Sequence, residues 1–349
     1  MKHPEDGMKL TNQRVPTVLL IAGFLASIGA AQDIASTTIP INATCLEIQQ
    51  ALDCLPDSGG EVFLGPGTYA VCQPVVLRRS GQTLRGCGAA TCLRLDDDAQ
   101  CPVIIMGQPV NVPLATVSRL RVADLGIDGN RHQQEFETWQ RQPAGSDIRN
   151  NGITVQGVTD SAIEHVTAAR CRSGGLVTTH YVRRLAVRDF TGVDNEFDGL
   201  ACYCTEASAF SDLKLHDNQA AGISFDLSAS HNIISDALLE GNDLGIFMRD
   251  SRNNLYRHIV VRNCRKFGVF MAQSEQQTSS GWQPLAHTEC TGNSFVALQI
   301  SRCAGVAFRV NDLACANNII SDAQFLDNSQ GGLSLAAPDL VTVQDLSQR

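Results

Sequence analysis

The chain has 349 residues, 43% hydrophobic, 18% charged and 5% aromatic, with 29 Gly, 13 Cys and a formal net charge of −9. The apolar fraction excludes a disordered chain, and the recurrence of Gly, Asn, Asp and Ser excludes a coiled coil or helical bundle. The acidic balance excludes a sequence-independent nucleic-acid binder, which needs a basic face for phosphates.

In chain order, the first feature is Val15–Ala31, VPTVLLIAGFLASIGAA, preceded by Lys9 and Arg14 and ending in the small residues Gly29 and Ala31. An integral span needs about 20 apolar residues. The pattern therefore predicts a secretory signal over residues 1–31, with cleavage before Gln32 and no stable membrane insertion afterwards, the alternative being an uncleaved membrane anchor. A secreted or periplasmic, monomeric domain over 32–349 is expected. All 13 cysteines follow the signal, which suits an oxidising compartment. Their odd number leaves at least one thiol unpaired, and Cys45/Cys54 and Cys87/Cys92 are candidate local pairs. Thr44 and Glu47 form a capping box for a short helix, Cys45–Leu55. Such a helix can cover the open end of a stack of strands.

From residue 150 a Gly followed by an aliphatic residue recurs: Gly152-Ile153, Gly175-Leu176, Gly199-Leu200, Gly222-Ile223, Gly245-Ile246 and Gly268-Val269. The steps are 23, 24, 23, 23 and 23 residues, followed by Gly305-Val306 and Gly332-Leu333 after 37 and 27. A fixed period of this size marks a repeat architecture. GITVQ, GLACY, GISFD and GIFMR alternate with strand periodicity. Second strands are predicted at Ala162–Val166, Leu185–Val187, Ile233–Leu239 and Tyr256–Val261, with Asn/Asp/Ser turns between. The leucine-rich consensus is missing, and helical repeats need longer 3.6-period faces. The fold predicted is an all-β, single-stranded parallel β-helix of about 23 residues per coil, whose inward aliphatics stack on the next coil.

These coils, with SGGEVFLGPGTYAV, TLRGCGAATCLRL and LGIDGN before them, resemble the pectate-lyase-like superfamily of right-handed parallel β-helices. The resemblance spans roughly Asn42 to Val343, with N-terminal coils over 42–130 and regular coils over 150–343. It implies a fold that hosts lyases, hydrolases, epimerases and adhesins, so activity must be argued from the site. Asn195-Glu196-Phe197-Asp198-Gly199 resembles the start of the polygalacturonase strand. Ala201 stands where that family has a second Asp, and Ala220-Ala221 replaces its Asp pair. The Asp-Pro-His of alginate C5-epimerases is absent, although the Gly-Ile and Asn-turn style is closer to epimerase and NosD-like coils.

Alternation points position +4 from each repeat Gly outward: Gln156, Thr179, Tyr203, Asp226, Arg249, Ala272, Arg309 and Ala336. Tyr203, Asp226 and Arg249 should form a line about 4.8 Å apart. A phenol, a carboxylate and a guanidinium in one row suit acid–base work on a sugar; the plainer reading is an Asp226–Arg249 surface ion pair. Asp194, Glu196, Asp198, Asp217, Asp243 and Lys266 occupy turns before the same strands. Asp194 and Asp243 are candidate Ca²⁺ ligands, against the commoner use of Asp in turns. No other cofactor is implied. Two insertions break the register, 131–149 and 273–292, and hold the only tryptophans, Trp139 and Trp282. Loops of that length are commonly functional, and indoles suit sugar stacking. Thr179, His180, His287 and Lys266 complete the candidate ligand-binding set.

The leading expectation is a secreted protein acting on a polysaccharide, one containing uronic acids, by lyase or C5-epimerase chemistry. Arg249 or a metal would neutralise the carboxylate, and Tyr203 or a histidine would serve as base. The alternatives are an inverting hydrolase using Asp198, Asp226 and Asp243, and a non-catalytic carbohydrate-binding protein.

Overall fold

The computed structural model describes residues 35–135, 148–274 and 287–348. The expected signal segment, Trp139, Trp282 and the middle of both insertions lie outside these residues.

Two parallel sheets are wound from alternating segments of the chain. In the longer sheet, twelve strands follow one another from Ser36–Ile39 to Val341–Gln348. The other has ten short strands, from Val75–Leu77 to Leu333–Leu335, and contains the glycine-led segments. Each strand pairs in register with its equivalent one coil later, as Ile153 with Leu176, Leu200 with Ile223 and Ile246 with Val269. Those residues point inward and are fully buried, as are Val155, Cys202, Phe225 and Met248 two positions on. Rings stack along the same interior, with Phe225 and Tyr256 centroids 5.7 Å apart and those of Tyr256 and Phe295 4.8 Å apart. A third, narrower face is a run of single bridges joining Glu206, Ser230, Arg252 and Thr291.

The longer strands bend where one residue takes a left-handed conformation. Asp189, Asp212 and Asp236 do so at φ 48°, 56° and 55° in successive coils. Asp tolerates this region better than most side chains. The turn positions flanking the sheets carry buried asparagines. Asn232 Nδ2 donates to Asn254 Oδ1, Asn254 Nδ2 to Asn293 Oδ1 and Asn293 Nδ2 to Asn318 Oδ1, each at 3.1 Å. Asn195, Asn218 and Asn242 form a second ladder with 2.9 Å links. Each amide also serves a backbone group of a neighbouring coil, so a turn that would bury orphan polar atoms is satisfied internally.

The repeat glycine has a steric cause. A Cβ on Gly222 would sit 3.0 Å from the carbonyl oxygen of Gly245, and one on Gly245 would sit 2.4 Å from that of Gly268. The glycine lets adjacent coils close to sheet spacing at the corner.

The helix spans Cys45–Cys54, with Leu55 as its C-cap, and the Thr44/Glu47 capping box is formed. Cys45 and Cys54 open and close this helix, so about 13 Å of rise separates them and they do not pair. Cys45 Sγ instead lies 2.7 Å from Cys72 Sγ, and all the cysteines are free thiols. Cys87 and Cys92 are likewise unpaired: Cys87 Sγ is directed at the Leu64 carbonyl, whereas Cys92 lies within the strand Thr91–Leu95.

Two other expectations change. Gly305 does not lead a strand; Phe308 pairs with Val269, so Ala307 holds the glycine position. The insertion at 273–292 hides this slip, and Arg309 belongs to position +2, not +4. The repeat signal fades at Pro338, yet Val341–Gln348 adds a further rung on Asn318–Leu326.

Asn254→Ala removes the acceptor of both the Asn232 amide and its side chain. It should cost about 2–4 kcal/mol, since buried groups lose their partners. Lys214→Ala, on an exposed strand position, should cost under about 0.5 kcal/mol. Denaturant midpoints of the two variants against the parent chain check this.

Candidate functional site

The outward face of the ten-stranded sheet carries three columns of side chains. Two follow from strand alternation, at +2 and +4 from the repeat glycine. The third lies one residue before the glycine, where the turn swings the side chain onto the face. Asn151 shows this, its Nδ2 donating to Thr154 Oγ1 at 3.0 Å. Asp198 and Phe267 hold the same place in later coils.

Tyr203 pairs in register with Asp226, and Arg249 follows on the next coil. Arg249 grips Asp226 twice, Nε to Oδ1 at 3.1 Å and Nη2 to Oδ2 at 2.5 Å. Asp226 Oδ1 also accepts from the Leu227 amide at 2.8 Å. Asp226 is only 6% exposed. The expected row is present, but its carboxylate is committed to the guanidinium beside it.

Asp198 is different. It is 3% exposed, its Oδ1 accepts from the Ala221 amide at 2.8 Å, and its buried Oδ2 has no partner among the described residues. Burial raises its pKa to about 7, assisted by the Asp226 carboxylate, while the Ala221 amide, Arg149 and the Ser224 hydroxyl act in the opposite sense. A carboxyl group near neutrality can take or give a proton at working pH. Burial, and then the Asp198 carboxylate, push the Tyr203 phenol well up, which keeps it a proton donor.

Two members of this cluster were not expected from sequence. Asp250, fully buried directly after Arg249, accepts from the Ser228 amide at 2.6 Å and lies against the Asp226 carboxylate. Burial, and then Asp226, raise its pKa. Arg149 places its guanidinium 4.2 Å over the Phe197 ring. It lines a pocket with Tyr203, Thr179, His180 and Gln156, and Thr179 Oγ1 donates to Gln156 Oε1 at 3.1 Å. Thr179 and His180 therefore join the site from the preceding coil. The signal for Asp198 was its place before a repeat glycine; Asp250 and Arg149 had no sequence signal beyond charge next to a strand.

The remaining candidates stand apart. His287 lies beside Arg252 and His231, and burial, followed by the influence of these two neighbours, lowers its pKa to about 4. Lys266 Nζ pairs with Asp243 Oδ2 at 2.8 Å, with Arg265 3.6 Å from the other oxygen. Asp194 pairs with Arg131 at 2.9 Å. Asp194 and Asp243 sit two coils apart, each neutralised by a cation, and do not converge as a calcium site needs. Among the described residues no three His, Cys, Asp or Glu side chains are grouped to hold a metal.

Residues 151–283 match the family model described as a right handed beta helix region. Curated protein sequences give no match. Among solved structures the chain is similar to ORF18 of Geobacillus virus E2, with a TM-score of 0.64 and 14% identity over 87% of this chain and 59% of that one. It thus spans less than two thirds of that protein's length. It is also similar to endo-xylogalacturonan hydrolase from Aspergillus tubingensis, with a TM-score of 0.63 and 12% identity over 90% and 92% of the two chains. The A-module of the Azotobacter vinelandii mannuronan C-5 epimerase AlgE6 follows at 0.53 and 14%, over 87% and 94%. At such identities the likeness is one of fold. With its in-register coils, buried asparagine ladders and matching region, the chain has the fold of a right-handed parallel β-helix.

Proposed function

We propose that the protein acts on a uronate-containing polysaccharide by removing the proton at C5, as a lyase or C5-epimerase. The observation that carries this reading is Asp198. It is a buried carboxyl on the outward face, poised near neutrality with one oxygen unpartnered among the described residues. Two solved structures with this fold are named for a mannuronan epimerase and a xylogalacturonan hydrolase, which supports a uronate polymer as substrate.

In this scheme Asp198, ionised, takes the C5 proton. The electron pair left behind passes into the sugar carboxylate as an enolate. Arg149 and Arg249 offset its charge; Arg249 spends Nε and Nη2 on Asp226, and its Nη1 makes no hydrogen bond among the described residues. Tyr203 then gives its proton to one of two places. Delivered to C5 from the opposite face, it completes epimerisation. Delivered to the departing O4, it completes β-elimination, leaving a C4–C5 double bond. Charge stabilisation by preorganised donors is the largest part of such catalysis.

Hydrolysis is the second reading. Asp198 and Asp226 lie on adjacent coils and influence each other electrostatically. An inverting hydrolase needs carboxyls about 6.5–9.5 Å apart. Incubation with a panel of polyuronates separates the reactions. Absorbance of an unsaturated uronate indicates elimination, reducing ends without absorbance indicate hydrolysis, and a changed C5 configuration by proton NMR indicates epimerisation. No change in any channel on any uronate polymer contradicts the proposal.

Asp198→Asn should lower kcat by about 10²–10⁴-fold and Tyr203→Phe by about 10²-fold, with the fold retained by circular dichroism. With Asp198 as base, kcat/KM should rise with pH through about 7. EDTA should leave turnover unchanged, because Asp194 and Asp243 are held by Arg131 and Lys266.

Stability supplies an independent check. The folded pKa of Asp198 lies above the ordinary carboxylate value, so between about 4 and 7 the native state binds more protons than the unfolded state. Its contribution is present at low pH and is lost as pH rises through about 7. Asp198→Asn should therefore stabilise the chain more at pH 8 than at pH 4, read as a Tm difference; equal differences at both would contradict the raised pKa.

A further inference from the structure

The +2 column of the outward face holds features that this chemistry does not use. Phe247 and Phe270 pair in register there, and Arg309 follows on the next coil. The two rings are nearly parallel, 10° apart with centroids at 6.0 Å. Phe267, in the column before the glycine, stacks on Phe270 at 5.7 Å and 15°. All three rings are half-buried. They add nothing to the interior, which Ile246, Met248, Val269 and Met271 already fill on the other side of the same strands. Elsewhere the column carries no ring, with Ile105, Thr154, Val177, Ala201, Ser224 and Ser334 at the same register. Arg309 Cζ lies 5.3 Å from the Phe267 centroid and 6.0 Å from that of Phe270. Its Nη2 is held by Asn311 Oδ1 at 3.1 Å, and no carboxylate among the described residues pairs with it. Arg249 reaches the other end of the strip, 5.8 Å from the Phe247 centroid.

We propose that Phe247, Phe267, Phe270 and Arg309 form a binding subsite for a carboxylate-bearing sugar ring. The stacked, half-buried rings make an apolar patch against which the C–H face of a pyranose can pack. The guanidinium at its border is a planar fork suited to a carboxylate. In a chain of net charge −9, a cation without an acidic partner on this face is a local exception that favours an anionic ligand. From the Asp198 coil to the Arg309 coil is four steps, about 19 Å at sheet spacing. A polymer lying along the stack would place one unit at Asp198 and a later unit on the phenylalanines. This inference rests on the polysaccharide reading and gives the substrate a direction along the coils.

The test is calorimetric binding of purified oligomannuronate and oligogalacturonate, with neutral cello-oligosaccharide as comparison. It uses the Asp198→Asn chain, which binds without turnover, and adds Phe270→Ala or Arg309→Gln. Phe270→Ala should raise Kd about tenfold for the uronate bound. Arg309→Gln should raise it by a similar factor for the uronate and leave the neutral sugar unchanged. Unaltered Kd in both variants, alongside turnover by the parent protein, overturns the subsite and leaves the function standing. Loss of binding in the variants without any turnover by the parent supports the subsite and overturns the reaction. Equal losses for neutral and acidic sugars with Arg309→Gln overturn the carboxylate assignment. Absence of uronate binding by the Asp198→Asn chain overturns the subsite.

Discussion

A parallel coil places equivalent positions directly above one another, so each buried polar group at a turn faces its own copy one coil away. Asparagine suits this geometry, because its amide donates to one neighbour while its carbonyl accepts from the other. The ladders Asn195–Asn218–Asn242 and Asn232–Asn254–Asn293–Asn318 use both ends in this way while fully or almost fully buried. Their length fixes the register of the turns. The repeat glycines then allow the corners to close, since a side chain at Gly245 would strike the carbonyl of the next coil.

The outward face inherits that rigidity. Tyr203, Asp226 and Arg249 are in line because their strands are in register, not because of any local attraction among them. Asp198 reaches the face from the turn before its strand, in the segment that also sends Asn195 into the ladder. The two residues, three apart, therefore have opposite fates. Asn195 is spent on structure, while Asp198 keeps an oxygen without a partner among the described residues. The same placement buries Asp198 deeply enough to raise its pKa to about 7, the condition under which a carboxyl group is useful as an acid or base at neutral pH.

The coil period was legible in the glycines, and the helix in Thr44 and Glu47. Strand alternation gave the row of Tyr203, Asp226 and Arg249. It did not give the column before the glycine, because that position is a turn, where period-2 reasoning no longer applies. Asp198 is marked in the sequence by its place before a repeat glycine, whereas an apolar ring such as Phe267 at the same position carries no such mark. Phe247 and Phe270 stand at +2, which the same alternation points outward, but apolar residues there carry no charge pattern that marks a site. Asp250 was illegible because its burial depends on the turn after Arg249, and Arg149 because it enters from an insertion. The slip from Gly305 to Ala307 shows how an insertion defeats counting: a glycine near the expected spacing is not the residue whose neighbour pairs with Val269.

The proposed reaction depends most on the protonation of Asp198. Carbon-13 NMR titration of the aspartate side-chain carboxyls, with the Asp198 signal assigned by its loss in Asp198→Asn, measures this directly. A midpoint at about 7 is expected. A midpoint near 4, the ordinary range for an exposed aspartate, would contradict it and return Asp198 to a structural role as acceptor for the Ala221 amide.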